Sequence, residues 1–223
     1  MKIVLKIVKF LLLLAIVVVA ISVIMPDVPK HVLSTLGFEK TYTIHPREDG
    51  KDYMHDPVQI KTTGGTTIRV DNLEAKLNFV AEYAVAGKVL GVENYSGRRM
   101  EDRLSPRDVA LAWGWLAEKG ADSNIKWGPF VYRGFLFTYY EADLKNKIRG
   151  NFSNTHLIPN NKETERLIND IREGEYVRIE GYLVNVTCDM GNGRTFTWNT
   201  ATSRNNFDCE VIYVTGVTWL MGP

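Results

Sequence analysis

Apolar residues run without a break from Phe10 to Met25, with Ser22 the lone polar position, and alternating patterns dominate the remainder of the chain. Sixteen residues are long for a signal-peptide core and short for a full membrane span. Ile3 to Leu5 and Ile7-Val8 extend the run, and Lys2, Lys6 and Lys9 can snorkel, so residues 1–25 are long enough to cross a bilayer. The one small-x-small pattern, Ala20-Ile21-Ser22, lies inside the apolar run, a poor place for cleavage. The expectation is an uncleaved signal-anchor, with a cleaved signal peptide as the alternative. The three lysines put the N-terminus in the cytoplasm and the remainder outside: a single-pass protein of the inner or plasma membrane with its domain on the extracytoplasmic side.

Residues 26–57 read as a stalk and irregular segment, and residues 58–223 as a β-rich domain. Val58 to Thr62 and Thr66 to Val70 flank Gly64-Gly65 and predict a hairpin. Leu77, Phe79, Ala81, Tyr83 and Val85 alternate, and Gly87 and Gly91 favour two strands or one bent strand over a helix. Ser105-Pro106, with Asp108 at a capping-box position and Val109, Ala112 and Trp113 following, predicts a helix that Gly114 weakens. Asn160 and Asn161 can cap a helix whose first turn holds Glu163 and Glu165. Leu167, Ile168 and Ile171 share its buried face, and Gly174 ends it. In the strand from Tyr176 to Val186 the apolar positions change phase at Gly181, which predicts a bulge or sharp bend. Thr195 to Trp198 and Glu210 to Thr215 read as further strands, with Asn192-Gly193 as a turn. The fold class expected is α+β and β-rich: a transmembrane helix, then a small bent-strand, OB-like barrel with two or three short helices.

Charge changes the picture by exclusion. Without the three N-terminal lysines the balance is 24 basic against 26 acidic residues, so no nucleic-acid partner is expected. Two readings stand for Cys188 and Cys209: one disulfide, worth about 3 kcal/mol for a loop of this size, or two separate thiols. His31, His45 and His55 fit no ligand spacing, and no H-E-x-x-H pattern occurs, so neither a metal site nor a cofactor is expected.

Several stretches together resemble a family of uncharacterised bacterial membrane-anchored proteins. They are Lys88-Val-Leu90 followed by Tyr95, SPRDVALAWG (Ser105 to Gly114), SNTHLIPNN (Ser153 to Asn161) and REGEYVRIEGYLVNV (Arg172 to Val186). Trp198, Thr202-Ser-Arg204 and CEVIYV (Cys209 to Val214) complete the set. The family's DLALGWG-like and N-x-HLIP motifs carry the likeness across about residues 77 to 215, although Trp115 stands where the family has proline. The resemblance implies membrane anchoring and brings no activity.

For chemistry, His156 is the first candidate, with Asp108 or Glu180 as the carboxylate that would orient its imidazole and Ser153 as the nearby hydroxyl. No G-x-S-x-G elbow accompanies them. Asn154, Trp113 and Tyr139 are the candidate binding side chains. Tyr139 belongs to the aromatic run from Pro129 to Tyr140, which can line a core or stack on a ring-shaped ligand. The alternative for SNTHLIP is a loop whose polar side chains bond backbone groups while Leu157 and Ile158 enter the core. Two functions follow: a membrane-anchored extracytoplasmic module that binds or scaffolds another envelope protein, or an anchored hydrolase with His156 as general base.

Overall fold

The computed structural model describes residues 44–223 except 124, 131–132, 140–143, 192 and 204–208. The expected signal-anchor, and the stalk as far as residue 43, lie outside the described residues. Among the described residues no helix is long and apolar enough to cross a membrane.

One strand organises the β-rich architecture. β3 (Leu73–Asn94) follows β1 (Val58–Lys61) and β2 (Gly65–Val70), both of which pair antiparallel along it, β2 near its start and β1 further on. The hairpin expected between β1 and β2 is therefore not formed. The tight turn lies one step later, at Asp71-Asn72, where Asp71 has φ 54°. Aspartate tolerates that left-handed conformation better than most residues, which lets β2 fold back on β3. β3 itself is one bent strand, with register shifts between Phe79 and Ala81 and between Val89 and Gly91.

The distal half of β3 pairs with β4 (Arg107–Ala112), β4 with β7 (Phe152–Pro159), and β7 in parallel with β10 (Glu210–Leu220). β10 pairs with β8 (Tyr176–Asp189), and β8 returns to β3, closing a ring of five strands. β9 (Thr195–Trp198) extends β8 at one edge, while β5 (Ile125–Phe130) and β6 (Gly134–Tyr139) form a separate hairpin. The helices described are short: α1 (Met100–Leu104), α2 (Leu144–Arg149) and α3 (Lys162–Asp170).

The ring interior is filled by side chains that alternate inward: Val109 and Leu111 of β4, Leu157 of β7, Val177, Ile179 and Leu183 of β8, and Ile212 and Val214 of β10. Each such side chain contributes roughly 1.5–3 kcal/mol by leaving water. A second cluster covers the outer face where Val184, Val186 and Cys188 meet Leu77, Met100 and Leu104.

The helix expected from Ser105 to Trp113 is a strand. β4 is buried along its whole length because Val109 and Leu111 face the ring interior while Ala110 and Ala112 lie under Leu90, Ile125 and Phe152. A strand covered on both faces loses its period-two signature, and a short alanine-rich apolar run then reads like a helix. The helix that does form ends just before Ser105, and its capping acid is Asp102, which accepts from the Arg99 backbone N–H at 3.2 Å. SNTHLIP is likewise strand β7 rather than a loop, with Leu157 and Ile158 fully buried as expected.

The α3 helix matches the signals of its start, but it ends at Asp170, with Ile171 already extended, so Gly174 is not its stop and lies in the turn before β8. Asn161 accepts from the Thr164 N–H at 2.9 Å in a reciprocal capping box. Its end is held by Arg107, whose guanidinium donates to the carbonyls of Asn169 at 2.9 Å and Ile171 at 2.5 Å. Gly181 sits where the ladder between β8 and β10 slips, with Thr215 as the extra residue on β10. A Cβ at Gly181 would run into the Tyr213 carbonyl oxygen, so only glycine permits that approach. The phase change in sequence has a second cause. Odd positions continue inward as far as Leu183, while from Tyr182 the even positions pack against the second cluster.

Candidate functional site

Antiparallel pairing of β4 with β7 sets Asp108 directly opposite His156, and Ala110 opposite Asn154. These residues lie on the outer face of the ring, since their neighbours Val109, Leu111 and Leu157 point inward. The His156 Nδ1 is 2.8 Å from Asp108 Oδ2, with His156 3 % exposed and Asp108 fully buried. The contact is a close polar contact without the alignment of a good hydrogen bond. The partner proposed for His156 among the motif carboxylates is thus Asp108. Glu180 lies on β8 opposite Ala84 and Gly216, where it pairs with Arg178 at 2.9 Å and does not join the cluster.

A residue the sequence did not nominate completes the arrangement. Arg133 precedes β6 in the turn of the β5–β6 hairpin, and its guanidinium reaches back under the segment between β3 and β4. Its Nη2 donates to Asp108 Oδ1 at 2.5 Å, to the Ser105 carbonyl at 2.7 Å and to the Ser105 hydroxyl at 3.1 Å. Its Nη1 donates to Asp102 Oδ1 at 3.1 Å. The guanidinium carbon lies 4.1 Å from the centre of the Tyr95 ring and 5.1 Å from that of Trp198, both within cation–π range. Trp198 also meets the His156 ring, with centroids 4.9 Å apart. The Arg133 carbonyl accepts from Asn154 Nδ2 at 2.9 Å, and the same amide lies 3.5 Å from Cys209 Sγ.

Electrostatics follow from burial. The Tyr95 phenol is pushed well above its usual range by desolvation, then by the charge of Asp108 and a hydrogen bond to it. Asp108 therefore collects an arginine, an imidazole and a phenol in one dry place. Its carboxylate is shared rather than aimed at the imidazole alone.

Ser153 stands opposite Leu111 on β7, three residues from His156, so its side chain lies on the other face of the strand. It cannot act as a nucleophile activated by His156. Among the described residues no side-chain hydroxyl or thiol hydrogen-bonds the His156 ring. Trp113 is 1 % exposed within the ring's main core cluster, and Asn154 is buried against Arg133. Tyr139 pairs through its backbone with Ile125, and its side chain lies outside what the structure describes. Cys188 is buried and Cys209 partly exposed, and no disulfide joins them, so the bridged reading of the pair is not realised.

Arg133 was legible only as an oddity: it is the one charged residue between Lys126 and Glu141, within the most aromatic part of the chain. A lone charge in such a run needs a partner. Nothing in the sequence named Asp102 or Asp108 as that partner. No family model, characterised protein or solved structure matches the chain.

Proposed function

We propose that the chain is a membrane-anchored, extracytoplasmic binding module whose five-stranded ring is an OB-like barrel. Closure of the ring, the bend in its long first strand and its one parallel pairing support the OB-like reading. In such barrels the second and third strands and two flanking connections form the binding face. Here these would be β4, β7, the segment 95–106 and the chain around β9, and Tyr95, Ser105 and Trp198 from them touch Arg133 in the polar cluster. The ligand class is a protein of the envelope, because the near-neutral charge of the chain beyond the anchor argues against nucleic acid.

One observation carries the choice of a binding module over an enzyme. His156 and Asp108 are buried, and the Asp108 carboxylate already neutralises Arg133. A general base must reach its substrate's proton, and this imidazole faces Asp108 and Trp198 instead. The second reading, a hydrolase using His156, draws on the same 2.8 Å contact, since an orienting carboxylate is half of an acid–base pair.

Two measurements on intact protein test the proposal. After alkaline carbonate the protein remains in the membrane pellet, and a periplasm-active reporter fused after Pro223 gives signal. A soluble form beginning near Val23 contradicts the anchor. His156→Gln lowers stability by about 1–2 kcal/mol, the worth of one buried polar contact, and cellular function falls only in proportion to folded protein. A stable, abundant variant without function supports the hydrolase instead.

A further inference from the structure

The last strand ends in an apolar tip. Among the described residues three large hydrophobic side chains are exposed, Ile60, Trp219 and Met221. Trp219 and Met221 stand two positions apart at the end of β10, so strand alternation puts both on one side of it. Trp219 is 38 % and Met221 90 % exposed. The indole is held in place: its Nε1 donates to Glu175 Oε2 at 2.8 Å, which satisfies its one polar group within the protein. Leu220 turns to the other side of the strand, where it packs with Tyr53, Met54 and Tyr176. The Tyr53 and Tyr176 rings meet edge to face at 5.0 Å, and the Tyr176 hydroxyl donates to the Ala117 carbonyl at 2.6 Å. The tip is therefore apolar on both faces and has a fixed backing.

The first described residue is fastened beside this tip. Arg178 donates from Nη2 to the Ile44 carbonyl at 2.7 Å and from Nη1 to Asp52 at 2.8 Å. Arg178 is the partner of Thr218, the residue before Trp219, and shares a face of β8 with Tyr176 two positions away. The apolar run expected to span the membrane ends at Met25, and residues 26–43 connect it to Ile44. A connection of that length reaches at most about 60 Å when fully extended. Contact between the domain and that bilayer is then intramolecular, at an effective concentration on the order of millimolar, so a few apolar side chains suffice where an untethered protein would need a large patch. A protein partner would have to bring a pocket shaped to a free-standing tip. The interfacial layer of a bilayer takes one without a pocket, and it favours tryptophan and tyrosine.

We propose that the tip formed by Trp219 and Met221 sits in the interfacial layer of the lipid bilayer, so that the domain is docked on the membrane surface and not merely tethered to it. This rests on the membrane-anchor half of the proposed function and adds a second contact to it. The partner is the boundary between lipid headgroups and acyl chains, met by apolar side chains, with no particular headgroup required.

The test places full-length protein in phosphatidylcholine vesicles whose acyl chains carry bromine, a contact quencher of tryptophan, with unbrominated vesicles as reference. Residues 1–43 hold no tryptophan, so all five report from the domain. At neutral pH brominated lipid lowers the wild-type emission, and Trp219→Phe removes most of that fall. Met221→Glu keeps Trp219 and weakens its quenching by at least about twofold, because a charge is costly at that depth. Equal wild-type emission in the two lipids overturns the proposal, as does quenching that Trp219→Phe leaves unchanged. Should Trp219→Phe lose its fold with the Glu175 bond, the wild-type comparison and Met221→Glu decide alone. Self-association in detergent that Met221→Glu abolishes, with no quenching of the wild type, gives the tip to a second copy and overturns the lipid contact. An alkaline carbonate wash separates this failure from that of the anchor. Protein retained by the vesicles without quenching keeps the anchor and loses the docking. Protein quenched at neutral pH and then stripped by carbonate keeps the docking and loses the anchor.

Discussion

Replacing Asp108 by Asn perturbs the centre of the cluster with almost no change of shape. Asp108 is fully buried and receives Arg133 at 2.5 Å and His156 at 2.8 Å. Removing one partner of a buried ion pair costs about 3–5 kcal/mol, mostly because the other charge is left uncompensated. Asp102, 3.1 Å from Arg133 on its other side, still neutralises part of that charge, so the expected loss is near the lower end, about 3 kcal/mol. Arg133→Met alone leaves two carboxylates with one fewer cation and is also destabilising. The double variant removes both charges together, and its loss falls short of the sum of the singles by about 1–3 kcal/mol. Urea unfolding of the four proteins, with the slope of each transition checked for constancy, measures the coupling. Additivity within about 0.5 kcal/mol would refute the reasoning, since residues in one ionic network do not act independently.

Gly181→Ala drives a methyl group into the Tyr213 carbonyl, so the β8–β10 ladder must separate; a loss of about 3 kcal/mol is expected, and an unchanged Tm contradicts the close approach. Burial raises the pKa of Cys188, Tyr95, Tyr176 and Tyr213 above their ordinary values, so the folded protein keeps protons that the unfolded chain releases. Stability is therefore fully present below about pH 8.5 and falls as pH rises through the thiol and then the phenol range; urea unfolding between pH 8 and 11 checks the sign, and a rising curve contradicts it.

The helix α3 was legible because one face is wet, so its cap and its period survive in the residue order, and strand β8 was legible because its apolar positions alternate and change phase at Gly181. β4 was not, because the hairpin and the ring interior cover both its faces and erase the alternation. The same covering explains why Asp108 reads as a capping acid: next to Ser105-Pro106 a lone carboxylate has an obvious local use, and its real partners lie 25 and 48 positions away in the chain. Pairing of Asp108 with His156 is a matter of strand register, which hydrophobic pattern sets only after both segments are known to be strands. Glu180, the other carboxylate considered for His156, went instead to Arg178, which also holds Asp52 at 2.8 Å and the Ile44 carbonyl at 2.7 Å. That clamp fastens the start of the described chain to β8 and had no sequence signature.

The central claim is that His156 is a sealed structural residue and not a base awaiting substrate. Diethylpyrocarbonate reacts with accessible neutral imidazoles, and the folded protein offers it three described histidines of differing exposure. His45 is exposed and His55 partly so, which makes them internal references for the reagent. With peptide mapping after a timed exposure near neutral pH, the account predicts modification at His45 and His55 while His156 stays unmodified until the protein is unfolded. Modification of His156 in folded protein at a rate comparable to His45 would contradict it, and would open the hydrolase reading again.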